Sequence, residues 1–401
     1  MHPTLMKKKL AVIFEGNISN RLGVFNAVVN RVKHLREIAD YTVDVFMIQV
    51  YDGRVMALLR HDNPPAMRPA SIVADGITIN VRWFKRSFCD ALGHRFFHKQ
   101  PSRFLHFLRN DLVRELQSYD AISAHDRIAG NVAAACHKAY GVPFFITWHG
   151  ASIYTDPPRD AMLKAITAQL LESATCNFFV SRGLARMAKN VTSKPFTQEI
   201  LLNGASAQFH RLHQQQRNAL RLQFGVPSGS KVVAFVGRFE AVKNPNLLPP
   251  IFALIKQQYA HPITFWAIGD GYMLPQTKAD MAQTGIDCHF WGLQMPDKMP
   301  KFMNCIDVLI LPSSLEGLPL VTIEAMSCGA NVVATDVVGT AEAIGADNAF
   351  ALDASFTAKA AHRAAEMLSG HIDQQLPPDV SWTATAQKEN AIYNRWLLNA
   401  N

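Results

Sequence analysis

The chain has 401 residues, too many for one hydrophobic core, so two domains are predicted. Its composition is that of a globular protein, and no apolar run approaches the roughly 18 residues of a membrane-spanning helix. The formal net charge of +8 is concentrated in residues 1–205, which hold 26 Lys and Arg against 16 Asp and Glu. This half is expected to face an anionic partner: nucleic acid, an anionic membrane surface or an acidic substrate.

The N-terminal segment begins like a signal peptide, but its apolar run at 10–14 is short and stops at Glu15. We interpret it as a first buried strand. The six cysteines are scattered and form no Cys-x-x-Cys, which favours reduced thiols in a cytosolic protein over a disulfide framework or a zinc site.

Short apolar runs alternate with segments of helical period along both halves of the chain. Strands are predicted at 10–14, 41–48, 121–124, 144–148, 176–180 and 198–202, and then at 231–237, 263–269, 288–292, 308–312 and 331–336. Helical patterns lie between them, for example at 103–117 and 128–140. This alternation predicts an α/β protein with parallel sheets and helices on both faces.

The polar segment 210–230 contains no strand pattern, and we interpret it as a connection between two doubly wound, Rossmann-like domains. The predicted domains are residues 1–205 and 206–381. Two such domains are expected to face each other across a cleft, because ligands of doubly wound sheets bind at the carboxyl ends of the strands.

The sequence EGLPLVTIEAMSCG, residues 316–329, follows a predicted strand that ends at Pro312. Pro319 suits the first turn of a helix and Gly329 its end, so Glu316 lies in a loop and Glu324 inside the helix. The helix N-terminus offers the amides of Leu320 and Val321 to an anion. An acid on either side of a phosphate site suits a nucleotide-sugar. Taken alone, Glu316 is also typical of an acid near a helix start, favoured by the dipole, and Glu324 of a solvated helix residue.

The wider pattern, Ser-x-x-Glu-Gly-x-Pro-Leu-x-x-x-Glu-Ala-Met-x-x-Gly with Val-Val-Ala-Thr-Asp and Glu342 after it, resembles family 4 of the retaining GT-B glycosyltransferases. The resemblance implies that Glu316 contacts the donor sugar and Glu324 the ribose of the nucleotide. It places further donor contacts on the same turn, at Gly317, Leu318, Leu320 and Val321.

Other elements of the second half match in the expected order. VGRFEAVKNPNLL, residues 236–248, resembles the Gly-Arg-x(4)-Lys element, and the resemblance implies that Arg238 and Lys243 hold the diphosphate. Fixed cations are suited to this task, because a departing diphosphate gains negative charge. The glycines of AIGDGYML, residues 267–274, are predicted to be structural. The base is expected to contact backbone groups near Leu293.

The first half resembles the family more loosely. TWHGASIY, residues 147–154, implies that His149 lies by the donor sugar and diphosphate, although a lone histidine is more often structural. Gly16 and Gly23 are the candidates for a close backbone approach to the phosphates or the acceptor. Ala205-Ser206 replaces the usual Val-Asp, which weakens a ligand role for Asn203. Residues 382–398 resemble the final helix that returns to the first domain.

No Asp-x-Asp and no His/Cys cluster of ligand spacing occurs, so no metal and no other cofactor is predicted, and Arg238 and Lys243 supply the positive charge. The resemblance implies retention of anomeric configuration by same-face attack, with the departing phosphate accepting the proton of the acceptor. UDP is favoured over GDP, since UDP donors are commonest in this family.

The acceptor is the least defined partner. Residues 82–109 carry seven Lys and Arg, one Asp and many aromatic side chains. Three interpretations remain open: a core helix with a basic loop, docking to an anionic membrane, and nucleic-acid binding, which no nucleic-acid motif accompanies. Membrane docking would suit a glycan or lipid-linked acceptor in bacterial surface polysaccharide or lipopolysaccharide assembly, on the inner face of the plasma membrane.

Two other functions fit the same residues. A GT-B-fold nucleotide-sugar epimerase would convert the donor without an acceptor, and an inactive protein would only bind the nucleotide-sugar. The joint presence of Glu316, Arg238, Lys243 and Glu324 argues against loss of activity.

Overall fold

The structure, a computed structural model, describes residues 7–18, 23–52, 67–86, 111–370 and 372–397. The chain divides into two compact units, one of residues 1–202 and 382–401 and the other of residues 203–381. The division falls three residues before the predicted boundary at 205/206. Residues 382–401 belong to the first unit, and the predicted basic stretch lies outside the described residues from 87 to 109.

The first unit is built on an eight-stranded sheet in which all neighbouring strands are parallel except β3 and β4. Its strands are β1 (Lys9–Glu15), β2 (Thr42–Asp52), β3 (Ser71–Ala74), β4 (Ile77–Arg86), β5 (Ala121–His125), β6 (Phe144–Trp148), β7 (Cys176–Phe179) and β8 (Gln198–Ile200). Their order is β3-β4-β2-β1-β5-β6-β7-β8. The order reverses between β1 and β5, and ligands of doubly wound sheets bind beyond the carboxyl ends of such strands.

Helices flank this sheet. They are α1 (Val24–Ile38), α2 (Leu112–Leu116), α3 (Asp126–Tyr140), α4 (Ala151–Tyr154), α5 (Ala161–Ser173), α6 (Arg182–Ala188) and, from the end of the chain, α14 (Trp382–Leu397). Polar side chains define several helix ends. The Asp160 carboxylate accepts the amides of Met162 and Leu163 at the start of α5, and Ser181 caps α6.

The second unit contains a six-stranded parallel sheet of order β11-β10-β9-β12-β13-β14. Its strands are β9 (Lys231–Val236), β10 (Ile263–Ile268), β11 (Cys288–Gly292), β12 (Val308–Leu311), β13 (Asn331–Thr335) and β14 (Ala349–Phe350). Numbered within the unit, this is the 3-2-1-4-5-6 order of Rossmann folds, and its reversal falls between β9 and β12. The predicted fold class of two doubly wound α/β domains is confirmed.

The helices of the second unit lie before, between and after these parallel strands, and parallel pairing requires the ones that connect two strands. They are α7 (Gln214–Gln223), α8 (Leu248–Gln258), α9 (Leu274–Gln283), α10 (Met299–Cys305), α11 (Leu320–Ser327), α12 (Thr340–Ile344) and α13 (Phe356–Leu368). The interiors of β9, β12 and β13 are almost completely buried, which explains why these strands appear as uninterrupted apolar runs in the sequence.

The interpretation of residues 210–230 as a connection between domains was wrong for its central part. This part forms α7, which belongs to the second unit but has no buried residue. The helix is attached by charge: Arg217 Nη2 lies 3.0 Å from Asp307 Oδ1, and the Arg221 guanidinium also bonds the Asp307 carboxylate. Because none of its residues is buried, the apolar runs of the sequence do not reveal its attachment.

The hairpin of β3 and β4 was also missed by the sequence analysis. Its turn is Asp75-Gly76, and both residues have positive φ, 46° and 77°. Such a turn favours Asp-Gly for steric reasons, so this dipeptide between two apolar segments was the signal that could have revealed it.

A buried ionic contact joins α14 to α1 within the first unit. Arg31 and Glu389 are 2% and 3% exposed, and Arg31 Nη2 lies 3.0 Å from Glu389 Oε2. The Tyr393 hydroxyl lies 2.6 Å from Glu389 Oε1 and 2.7 Å from Ser123 Oγ on β5. These contacts attach the end of the chain to the centre of the first sheet.

We predict that Glu389→Gln lowers the free energy of unfolding of the first unit by about 3–5 kcal/mol, because it leaves the Arg31 charge buried without its counter-ion. Lys8→Gln, which removes the partly exposed pair with Asp120, should cost only about 0–1 kcal/mol. Urea unfolding of the two variants measures both changes. Equal effects would contradict the importance of the buried pair.

Candidate functional site

The loops that follow β9 and β12 meet at the reversal point of the second sheet. Asn244 Nδ2 donates to the Pro312 carbonyl at 2.9 Å, and the Ser314 amide donates to the Val242 carbonyl at 2.8 Å. Lys243 Nζ lies 2.5 Å from Glu316 Oε1, and both side chains are largely buried, at 17% and 12% exposure. The structure thus brings together two predicted site residues that are 73 positions apart in the chain.

Arg238 follows directly after β9 and is the accessible cation of this loop. Its guanidinium lies 2.9 Å from the Glu240 carboxylate, and its side chain is 65% exposed. Exposed ion pairs of this kind contribute little net free energy. The guanidinium can therefore exchange Glu240 for the oxygens of an anionic ligand at low cost.

Two glycines allow the turn after β10 to pack against the Arg238 segment. A Cβ on Gly269 would lie 1.9 Å from the Gly237 carbonyl oxygen, and one on Gly271 would lie 2.5 Å from that of Phe239. Both glycines have positive φ, 134° and 151°. The prediction that the glycines of this turn are structural is confirmed, and the backbone that carries Arg238 depends on them.

Helix α11 starts at the same edge of the sheet, with Pro319 at its N-cap and Gly329 at φ 85° beyond its last turn. Leu320 and Val321 occupy its first two positions, where amides have no partner inside a helix. The Leu318 side chain is 6% exposed and Gly317 is buried, so this segment anchors the helix start. The dipole and amides of such a helix end favour an anion.

Glu324 lies in the second turn of α11 and is partly buried. Across the described part of the chain, its carboxyl group has neither a hydrogen bond nor an ion pair. Burial raises its pKa to about 8. Hydroxyl groups of a ligand would satisfy this carboxylate, because they donate hydrogen bonds without adding a competing negative charge.

Leu293 follows the last residue of β11, and its side chain is 70% exposed. The adjacent Gln294 donates from Nε2 to the Trp291 carbonyl at 2.6 Å, which holds the loop in shape. Its contact with a base stays a prediction.

In the first unit, His149 directly follows β6 and contacts two residues at the end of β5. Its Nε2 lies 2.9 Å from His125 Nδ1, and its backbone amide donates to Asp126 Oδ1 at 3.1 Å. Asp126 has φ 61°, which is unusual for a residue with a side chain, and burial raises its pKa to about 7. Strained backbone concentrates at functional sites, so this group marks the reversal point of the first sheet as a second candidate region.

His125 and Asp126 were not singled out by the sequence analysis. The signal was a His-Asp pair at the carboxyl end of a predicted strand, which became informative only once that strand was found beside β1. Sequence order alone does not reveal which strand ends are adjacent in the sheet.

Gly16 and Gly23 stand on either side of the loop after β1. A Cβ on Gly16 would lie 2.6 Å from Met47 Sδ, and the Gly16 amide donates to the Ile48 carbonyl at 3.1 Å. Gly23 has φ 57° and precedes α1. The Gly16 amide therefore extends the sheet bonding, and a ligand contact at either glycine stays a prediction.

Within residues 7–18, 23–52, 67–86, 111–370 and 372–397, no three His, Cys, Asp or Glu side chains are grouped as metal ligands. No helix of these same ranges has the length and apolar character to cross a membrane.

The family model described as glycosyl transferases group 1 matches residues 216–375, which lie within the second unit. One relative is a Bacillus subtilis protein named as the teichuronic acid biosynthesis glycosyltransferase TuaC. It is 24% identical to this chain over 70% of this chain and 68% of its own length. The D-inositol 3-phosphate glycosyltransferase of Rhodococcus opacus is 26% identical over 59% of this chain, which spans 56% of that relative.

The fold has solved counterparts. The crystal structure of Anabaena Alr3699/HepE with UDP and glucose matches with a TM-score of 0.65 and 17% identity, over 97% of this chain and 96% of the other. The second unit thus matches the glycosyl transferases group 1 model over most of its length. The protein is a glycosyltransferase, and its two Rossmann-like units have the GT-B fold.

We predict that Gly269→Ala disrupts the second unit, because its methyl group would overlap the Gly237 carbonyl and the backbone would be strained. Gly285→Ala is the matched control. Its φ of 68° is also positive but nothing lies near its Cβ, so it should cost about 1–2 kcal/mol. Thermal unfolding of the two variants tests this, and similar losses would contradict the steric argument.

The raised pKa of Glu324 predicts a pH-dependent stability. The unfolded protein ionises this group near its ordinary value of 4.5, and the folded protein near 8. The folded state therefore binds more protons between these values, and stability falls as the pH rises through this window.

Glu324→Gln should accordingly unfold at a higher temperature than the wild type at pH 8, and at the same temperature near pH 4.5. Differential scanning calorimetry at both pH values measures the difference. A variant that is no more stable than the wild type at pH 8 would show that the carboxyl group has a partner or is well hydrated.

Proposed function

We propose that the protein transfers a hexose from a nucleotide-sugar, with UDP as the favoured nucleotide, to a glycan or lipid-linked acceptor. The observation that carries the proposal is the grouping of Arg238, Lys243 and Glu316 with the start of α11 at the reversal point of the second sheet. A Rossmann-like sheet binds its nucleotide at this point. The UDP complex of a protein with the same fold supports the choice of base.

The charges around the loop suit a diphosphate next to a sugar. Arg238 and Lys243 supply cations, and the amides of Leu320 and Val321 supply donors aligned with a helix dipole. Glu316 accepts hydrogen bonds from hydroxyl groups of the hexose, and Glu324 from those of the ribose. Each carboxylate then meets a neutral donor, and each cation an anionic oxygen.

The reaction we propose proceeds on one face of the sugar. The bond between the anomeric carbon and the diphosphate oxygen breaks, and a hydroxyl oxygen of the acceptor bonds to that carbon on the face that the diphosphate leaves. The proton of this hydroxyl passes to the departing diphosphate. Arg238, Lys243 and the end of α11 stabilise the charge that develops there, so that no metal is required. His149 contributes from the first unit to binding the donor.

We place this activity in the assembly of bacterial surface polysaccharide or lipopolysaccharide, at the cytoplasmic side of the membrane. Two features support the placement. The first half of the chain carries the excess positive charge, and a relative is assigned to teichuronic acid biosynthesis. Positive surfaces are attracted to anionic lipids. Flotation with anionic and with neutral vesicles tests this part, and binding to neither would remove it.

We predict that UDP raises the unfolding temperature of the protein equally in EDTA and in magnesium. A ligand at 100 times its dissociation constant adds about 2.7 kcal/mol to the free energy of unfolding. GDP and ADP serve as the comparison nucleotides. A shift that needs magnesium would contradict a diphosphate site built from side chains and amides alone.

Lys243→Met should weaken UDP binding at least about tenfold, because one charge-assisted hydrogen bond is worth about 1.5–3 kcal/mol. Lys256→Gln is the control, since this exposed lysine lies at the end of α8, near the amino ends of the strands. Isothermal titration calorimetry measures both affinities. Equal affinities for UDP would place the nucleotide elsewhere.

Turnover without an acceptor separates the proposal from its alternatives. Slow hydrolysis of the donor fits a transferase, whereas rapid formation of an epimer would identify an isomerase instead. Nuclear magnetic resonance of the transferred sugar then reports the anomeric configuration, and an inverted product would contradict the same-face reaction.

A further inference from the structure

His149 is held from two sides by consecutive residues of another strand end. His125, the last residue of β5, is 2% exposed, and its Nδ1 lies 2.9 Å from His149 Nε2. The two rings are nearly parallel, with an interplanar angle of 20° and centroids 5.2 Å apart. Asp126 then accepts the backbone amide of His149. Ring and backbone are thus fixed by His125 and Asp126 together.

The environment of both rings disfavours their charged forms. Burial lowers the pKa of His149 to about 3, and burial also places the pKa of His125 well below its usual range. The positive charge of Arg31 acts on both rings in the same direction. A neutral imidazole has one nitrogen that donates and one that accepts.

The contact between the rings therefore couples their protons. If His125 Nδ1 donates, His149 Nε2 accepts and the proton of His149 resides on Nδ1. If His149 Nε2 donates, its Nδ1 has a lone pair and accepts. In either arrangement the contact between the rings uses Nε2 of His149 and leaves Nδ1 for a substrate. Whether Nδ1 donates or accepts a hydrogen bond depends on which ring carries the proton of the contact.

We propose that His125 is a positioning residue that fixes the tautomer of His149, so that Nδ1 of His149 meets the substrate with one defined hydrogen-bonding character. A partner of this kind orients histidines in metal sites, where its mutation lowers metal affinity or activity about 10–100-fold. The catalytic consequence rests on the proposed role of His149 at the donor, whereas the tautomer itself is a property of the first unit alone.

The tautomer is measured directly by two-bond proton–nitrogen spectra of protein labelled with 15N-histidine. His149→Asn assigns the signals by removing them. We expect His149 in the wild type to show one pyrrole-like and one pyridine-like nitrogen. In His125→Leu both nitrogens should move toward averaged values, because the ring then exchanges between its two tautomers.

Two further variants control for structural damage. His125→Asn places an amide near the former Nδ1, and an amide held in one orientation by its hydrogen bond to His149 Nε2 should restore a single tautomer. His137→Asn changes an exposed histidine at the other end of α3, where Nδ1 contacts the Val142 carbonyl, and should leave His149 unchanged. Nitrogen shifts of His149 that are the same in His125→Leu as in the wild type would overturn the inference.

Kinetics connect the tautomer to the reaction. His125→Leu should lower kcat about 10–100-fold with a donor KM within about twofold of the wild type, and His125→Asn should recover most of kcat. A kcat for His149→Asn equal to that of the wild type would contradict the proposed role of His149. If the tautomers of His149 are averaged in His125→Asn as they are in His125→Leu, the positioning role of His125 is contradicted, even if His149 itself proves essential for activity.

Discussion

The contact between the loops after β9 and β12 is the constraint on which the second unit's site depends. These loops are distant in sequence, and they meet because the strand order reverses between the two strands that carry them. Asn244 and Ser314 each donate a hydrogen bond to a backbone carbonyl of the opposite loop, and Lys243 and Glu316 form an ion pair between the two loops. Every residue of the second unit assigned to the diphosphate lies on this edge, so the position of each one follows from the topology of this sheet.

The charges at this edge are balanced in two different ways. Lys243 and Glu316 already compensate each other, so a donor that occupies the site shares both groups and does not meet an isolated cation. Glu324 is the opposite case, because burial disfavours its ionised form and no group around it offers compensation in the described structure. Binding of hydroxyl groups should therefore favour the ionised carboxylate and release a proton, which links recognition of the ribose to the pH.

The sequence revealed the parts of the molecule in which local pattern and burial agree. Strands such as those at 144–148 and 288–292 appear with their exact bounds, and the Glu316–Gly329 segment forms the predicted loop and helix. The failures have physical causes. Helix α7 is held by ion pairs rather than by an apolar face, and the His125–His149 contact requires knowledge of which strands are neighbours.

The most direct test of this account is a crystal structure of the protein with an intact UDP-sugar. The account predicts the diphosphate within hydrogen-bond distance of Arg238, Lys243 and the first amides of α11, with ribose hydroxyls on Glu324 and a sugar hydroxyl on Glu316. A nucleotide that is bound at any other edge of the second sheet and contacts neither Lys243 nor Glu316 would contradict the account.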